Sequence, residues 1–295
     1  VLPDNIQYIS RDDPRYPPLL RQVSDPPKGL YVRGNLQDIP CISVVGTRRC
    51  TSYGRRATSE IVSGLVATGM GIVSGMALGI DGEAHKAALI AGGYTIAVLG
   101  TGIDEASLYP REHIRLAHEI LDAGGAIVSE NPPGSPSFKY AFPRRNRIIA
   151  GWSPATLVVE ANENSGSLIT ARLALEDNRE VLAVPGSIWS DVSMGCNKLL
   201  SLGAKVCTGA RDILDALELD RPELISQVRA NLPLTAEEST LLGLISGQMH
   251  VDDLALNSGL PSSHVSAHLS LLEMKGYVAQ LGGQMWSRTA SRLPK

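Results

Sequence analysis

The stretch ISVVGTRRCTSYGRRA, residues 42–57, joins a β-branched apolar run to a small, cation-rich turn and then to the start of a helical pattern. A continuous apolar run ending in Gly suits a strand buried on both faces of a parallel sheet. The same sign recurs at GIVSG (71–75), TIAVLG (95–100), AIVSE (126–130), TLVVE (156–160) and VLAVPG (181–186). Between these runs Ala57, Ile61, Leu65 and Val66 stand at helical spacing, as do Ile114, Ala117, His118 and Leu121, and Leu168, Ala171 and Leu175. This βαβ rhythm predicts an α/β fold: an extended Rossmann-like, doubly wound, mostly parallel sheet with helices on both faces.

The rhythm stops near residue 220. Residues 1–220 are therefore read as one domain, with residues 1–40, ahead of the first expected strand, as an extension containing no helical bundle. Residues 221–234, with two prolines, read as a linker, and residues 235–295 as a winged helix-turn-helix. In that tail Thr235 and Glu238 make a capping box, Asn257 to Gly259 closes a short helix, and Pro261-Ser262-Ser263 opens a longer one. YVAQ and QMWS around a Gly-Gly turn supply two short strands. Charges over 221–295 balance to zero, and residues 261–275 offer Lys275 as their one fixed cation, a poor endowment for reading duplex DNA.

The whole chain of 295 residues has 43% hydrophobic content, a net charge of −3 and a pI of about 6.1, which excludes a polycation that coats nucleic acid. Any contact with nucleic acid must come from a local patch. Cys41, Cys50, Cys196 and Cys207 are widely spaced and form no CxxC, so neither a disulfide framework nor a metal site is expected, and a reducing cytoplasm is the expected compartment. No run approaches the length of a membrane span, and the opening residues are too polar for a signal peptide. The chain does not begin with Met, which fits removal of an upstream segment.

In a doubly wound sheet, ligands bind at the turns after the strands, near the point where strand order reverses. The turn after the first run has Gly46 followed by Thr47, Arg48 and Arg49, with the next Gly at 54, so the GxGxxG spacing of a dinucleotide site fails; no GxxxxGK[ST] occurs either. Small, donor-rich turns with arginines suit the phosphates of something larger than a free nucleotide. A second cluster, FKYAFPRRNR at 138–147, holds four cations and three rings without an acid. Cations that track a backbone and rings that stack on bases are the two needs of single-strand binding. As catalytic alternatives, Asp81 and His85 share a helix face near Ser74 but lack a GxSxG elbow, and their spacing more often marks a structural hydrogen bond. Glu130 and Glu160 at strand ends could serve as acid and base.

Taken together, VGTR (45–48), SGMALGID (74–81) with His85, AVLGTGID (97–104) with Tyr109 and Pro110, SE (129–130), FPRRNRIIAG (142–151), SGSLITA (165–171) and VPG (184–186) closely resemble the DprA/Smf family, DNA processing protein A, from about residue 10 to 217. The resemblance implies a non-catalytic, cofactor-free homodimer that binds single-stranded DNA and loads the RecA recombinase in natural transformation and recombination. It implies a DNA-contacting set of Gly46, Thr47, Arg48, Ser74, Gly75, Lys139, Phe142, Arg145, Asn146, Arg147, Gly166 and Ser167. Arg48, Lys139, Arg145 and Arg147 would line one pocket, Asn146 would add a hydrogen bond, Phe142 would pack against a base or shape the pocket, and the Gly166-Ser167 turn would offer backbone donors. Tyr140 could equally be core. Arg144, where small residues are more usual in the family, would add charge to the pocket. Two other readings are a nucleotide-processing hydrolase of the lysine-decarboxylase-like fold, whose PGGxGT is replaced here by SGSLITA, and a regulator acting through the winged helix.

Overall fold

A computed structural model describes residues 5–138, 140–217, 234–274 and 277–288. Nine strands form one sheet: β1 (Ile6–Ser10), β2 (Gly29–Gly34), β3 (Cys41–Val45), β4 (Gly71–Ser74), β5 (Thr95–Leu99), β6 (Ala126–Ser129), β7 (Ala155–Val158), β8 (Glu180–Ala183) and β9 (Lys205–Val206). The six expected runs are β3 to β8, and every residue in them is buried save Glu180, at the start of β8. That burial explains why they read as unbroken apolar runs. Strands β1 and β2 lie outside the expected runs and pair antiparallel with each other and through β2 with β6. In β1 only Ile6 and Ile9 are buried, so this strand carries no continuous apolar signal.

The strand order is β1-β2-β6-β5-β4-β3-β7-β8-β9, with β3 to β9 pairing in parallel. The chain enters at β3 and proceeds outward through α1 (Ser52–Ala67), β4, α2 (Ile80–Ile90), β5, α3 (Ile114–Asp122) and β6. Then α4 (Ala141–Trp152) carries it back to β7 on the other side of β3, and α5 (Gly166–Glu176), β8, α6 (Asp191–Ser201), β9 and α7 (Ala210–Ala216) complete the layer. The direction of winding therefore reverses between β3 and β7, which opens a crevice beyond their carboxyl ends.

Alternating residues of β3 face opposite layers. Ile42 and Val44 pack with Ile61 and Leu65 of α1, Ile80 of α2 and Ile213 of α7. Cys41 and Val45 pack with Ile148 and Ile149 of α4, Ala171 of α5 and Cys196 of α6. Two helical stripes differ from expectation. In α5 the buried positions are Ser167, Thr170, Ala171 and Ala174, while Leu175 is exposed. In α3 they are Leu116, Ala117 and Ile120, with Ile114, His118 and Leu121 only partly buried.

The chain divides into two compact units, Val1–Asp220 and Arg221–Lys295. The second has helices Ala236–Leu244, Val251–Ser258 and Ser262–Met274 and an antiparallel sheet of β10 (Gln248–His250), β12 (Met285–Arg288) and β11 (Val278–Gln280). The capping box forms: the Thr235 N–H donates to Glu238 Oε2 at 2.7 Å and the Glu238 N–H to Thr235 Oγ1 at 3.2 Å. Gly259 closes its helix at φ 70°, a left-handed conformation that favours glycine. Strand β10 was not expected from sequence. Lys275 and nearly all of the expected linker lie outside the described residues. Among the described residues no helix is long and apolar enough to cross a membrane, and no group of three or more His, Cys, Asp or Glu could hold a metal ion.

Candidate nucleic-acid interface

A cavity of about 870 Å³ occupies the crevice where the winding reverses. Its walls come from the turn after β3, the first turns of α4 and the amino end of α5. Of the residues predicted for the site, Gly46, Thr47, Arg48, Phe142, Arg145, Asn146, Gly166 and Ser167 line it, and Arg49 and Tyr109 join them.

The turn after β3 is held from below. The Thr47 N–H donates to Glu160 O at 2.7 Å, and a Cβ on Gly46 would stand 2.6 Å from Ile80 Cγ1, so helix α2 can pack here only against glycine. Above that support Arg48 and Arg49 are exposed, and among the described residues neither forms an ion pair. The Arg48 guanidinium lies 5.5 Å from the centroid of the Phe142 ring, which is tilted against Tyr109 with centroids 5.7 Å apart. Two uncompensated cations beside two rings give this rim a positive field and apolar faces together.

Arg145 has a different setting. It is 6% exposed; its Nη1 donates to Gly75 O at 2.7 Å and to Val98 O, and its Nε to Asn146 Oδ1 at 3.2 Å. Asp81, equally buried, accepts from the Gly75 N–H at 3.1 Å and from the backbone N–H groups of Ala77 and Gly46. Burial pushes the Asp81 carboxyl up, opposed by Arg145 and those donors, and burial brings the Arg145 guanidinium down to about 10, opposed by Asp81. Through these separate bonds to backbone the two side chains fasten the turns after β3 and β4 behind the cavity. A Cβ on Gly75 would stand 2.2 Å from Arg145 Nη1, so this glycine makes room for the guanidinium.

Opposite, Ser165 caps α5 and its Oγ accepts from the Ser167 N–H at 3.4 Å. Asn146 Nδ2 donates to Gly166 O at 3.3 Å, and a Cβ on Gly166 would meet no atom within 4 Å, so the amino end of this helix is open to approach by an anion.

Several expectations are corrected. Ser74 is fully buried and donates to Val44 O at 2.6 Å, so it belongs to the sheet and not to the cavity. Arg147, two residues beyond Arg145 and so on another side of α4, is buried and directed away from the cavity. Its Nη2 pairs with Glu130 Oε1 at 2.6 Å and its Nη1 donates to Asp25 O at 2.7 Å. Arg144 pairs with Glu130 Oε2 at 3.3 Å and adds no charge to the cavity wall. Tyr140 is 70% exposed, not core, and stacks on Phe138 with centroids 5.4 Å apart. Lys139 lies outside the described residues.

The groups weighed for catalysis are engaged elsewhere. Asp81 and His85 do not bond each other: His85 Nδ1 is 2.7 Å from Thr95 Oγ1. Burial, with His113 and Arg145 nearby, brings the His85 imidazole down to about 3, so it is neutral. Glu160 accepts from the Thr51 N–H at 2.9 Å and Glu130 is paired with the two arginines. Arg49 and Tyr109, absent from the expected set, are adjacent to or within the motifs that supplied it, so proximity alone could have found them.

Residues 7–218 match the family model described as DNA recombination-mediator protein A, and residues 226–284 match the DprA winged helix domain. Protein Smf of Escherichia coli is 41% identical over 290 residues, covering 95% of this chain and 76% of the relative. DNA processing protein DprA of Streptococcus pneumoniae is 43% identical over 208 residues, covering 70% of this chain and 72% of the relative. The X-ray structure of DNA processing protein A from Streptococcus pneumoniae superposes with TM-score 0.68 at 42% identity, covering 72% of this chain and 74% of that one. DNA processing protein A from Helicobacter pylori, solved for its single-stranded DNA binding mode, superposes with TM-score 0.64 at 31% identity, covering 72% of this chain and 97% of that one.

Proposed function

The chain belongs to the DNA recombination-mediator protein A family, and from that premise we propose that it holds single-stranded DNA in the cavity between β3 and β7. The observation that carries this reading is the rim of that cavity, where Arg48 and Arg49 stand without carboxylate partners among the described residues and Phe142 and Tyr109 present rings beside them. Guanidinium groups neutralise successive phosphates, the open amino end of α5 receives another, and rings accept any base face. Gly46, Thr47, Asn146, Gly166 and Ser167 shape and line the seat, and Arg145 forms its back wall. Binding without chemistry fits a site around which the carboxylates of Asp81, Glu130 and Glu160 are all held by structural partners. The finer reading is that a homodimer delivers the strand to RecA and acts in transformation and recombination; the family's description as a recombination mediator supports it.

The test is fluorescence anisotropy of labelled poly(dT) and of a duplex of equal length, titrated with the full chain and with its Arg48→Ala and Arg49→Ala variants. Preference of the parent for the single strand, with weaker binding of that strand by both variants, is the expected result. Equal binding by all three proteins, or preference for duplex, would overturn the reading. Single-strand-dependent ATP hydrolysis by RecA, with and without the protein on coated DNA, tests delivery.

A further inference from the structure

The three tryptophans have opposite settings: Trp152 and Trp286 are buried, while Trp189 is 90% exposed. Trp189 sits in the turn between β8 and α6, at the same end of the sheet as the cavity. That turn is tied at its start to α1 and at its end to the turn after β7, which lines the cavity. At its start, the Tyr53 hydroxyl donates to Pro185 O at 2.7 Å, linking it to α1 just after Arg48 and Arg49. At its end, the Ala161 N–H donates to Val192 O at 2.7 Å, linking it to the turn after β7, and Val192 itself lines the cavity. Within the turn, Ser187 Oγ accepts from the Trp189 N–H at 3.2 Å and Ser187 O from the Ser190 N–H at 3.1 Å, which fixes the backbone while leaving the indole outside. No ring among the described residues stacks on it.

We propose that Trp189 is a second base-stacking platform, extending the single-strand track from the cavity past the end of β8. This rests on the DNA-binding reading above. An indole of this exposure stays in water at a cost unless something covers it, and a base is an occupant that a strand leaving the cavity would bring. The segment VPGSIWS has no charge and Asp191 follows it, so the contact is with a base face and not with a phosphate. Stacking of this kind is tolerant of sequence because every base has a π-face.

The exposed indole also supplies the readout, since the other two tryptophans are buried. Oligo(dT) is titrated into the full chain with anisotropy of the DNA label and tryptophan emission followed together, for the parent and for Trp189→Ala and Trp189→Phe, with sedimentation velocity of each protein. The expected result is quenching of emission in step with anisotropy in the parent and loss of that signal in both variants. Affinity should fall about five- to tenfold in Trp189→Ala and by less than about twofold in Trp189→Phe, which keeps a ring. If poly(dT) binds while emission and the affinity of Trp189→Ala stay unchanged, the platform is overturned and the DNA-binding reading stands. If Trp189→Ala changes the sedimentation coefficient and loses DNA only in proportion, the ring belongs to a contact between copies and the proposal falls. If the parent binds no DNA, both readings fall together.

Discussion

Helix α4 carries Arg144, Arg145 and Arg147 within four residues, and its flanks use them in opposite ways from the rim that faces it across the cavity. On α4 every arginine is engaged: Arg145 against Asp81 and two backbone carbonyls, Arg147 and Arg144 against Glu130. On the turn after β3, Arg48 and Arg49 form no ion pair among the described residues. The richest basic cluster in the sequence is therefore mainly architectural, and the shorter one supplies the uncompensated charge. What a guanidinium does is set by the acids that face it, which its own neighbours in sequence do not reveal.

The largest break in this contrast should come from Arg145→Ala. Removing the guanidinium leaves the buried carbonyls of Gly75 and Val98 without their charged donor and the buried Asp81 carboxyl without its neighbouring cation, and a loss of about 3–5 kcal/mol is expected in urea denaturation. Adding Asp81→Asn to that variant should restore part of the loss, since the unpaired charge goes with it. A loss below about 1 kcal/mol for Arg145→Ala would mean that the pair does not fasten the turns.

The next effect is on pH dependence. His85 has a folded-state pKa lowered to about 3 from an ordinary value near 6.5, chiefly by burial. The unfolded chain therefore binds a proton that the folded chain does not, so this contribution is complete above about pH 6.5 and is lost as pH falls towards 3. The slope is about 1.4 kcal/mol per pH unit within that window. Comparing the parent with His85→Gln at pH 7, 6 and 5 isolates it from the carboxylates. The variant's stability should vary less with pH; parallel curves would remove His85 from the account.

Arg147→Ala comes third, with about 2 kcal/mol lost through its charged hydrogen bonds to Glu130 and the Asp25 carbonyl. Its affinity for poly(dT), measured per folded molecule, should stay within about twofold of the parent. A tenfold loss would return Arg147 to the cavity.

These residues also mark how far the sequence could be read. Strands β3 to β8 were legible because burial on both faces leaves unbroken apolar runs, whereas β1 buries two of five residues and β9 has only two residues. The turns of the cavity were legible as motifs, since small residues before a helix are needed wherever backbone must approach an anion. Which side of α4 each arginine occupies was not, because Glu130 and Asp25 come to it from distant parts of the chain. The buried stripe of α5 was misread for a related reason. Ser167, Thr170, Ala171 and Ala174 face inward, so small side chains lie where a search for large apolar ones looks past them. Ser74 belongs to the SGMALGID motif, yet its hydroxyl only completes the hydrogen bonding of the sheet.

The smallest change in stability, and the sharpest test of the contrast, belongs to Arg48→Ala and Arg49→Ala. Both side chains are exposed and form no ion pair among the described residues, so unfolding free energies from urea denaturation should stay within about 0.5 kcal/mol of the parent. Each cation that neutralises a phosphate contributes about −0.7 to the slope of log K against log [salt] for a single strand. Each variant should therefore bind poly(dT) more weakly at low salt and show a slope shallower by about 0.7, and the double variant a slope shallower by about 1.4, if the two guanidinium groups meet separate phosphates. Arg48→Ala should lose more affinity than Arg49→Ala at high salt, where screening removes the shared electrostatic part, because the Arg48 guanidinium also steadies the Phe142 ring. Equal residual affinities at high salt would mean that the ring holds its place without Arg48, and an unchanged slope in both variants would mean that the strand is bound by the engaged arginines of α4 after all.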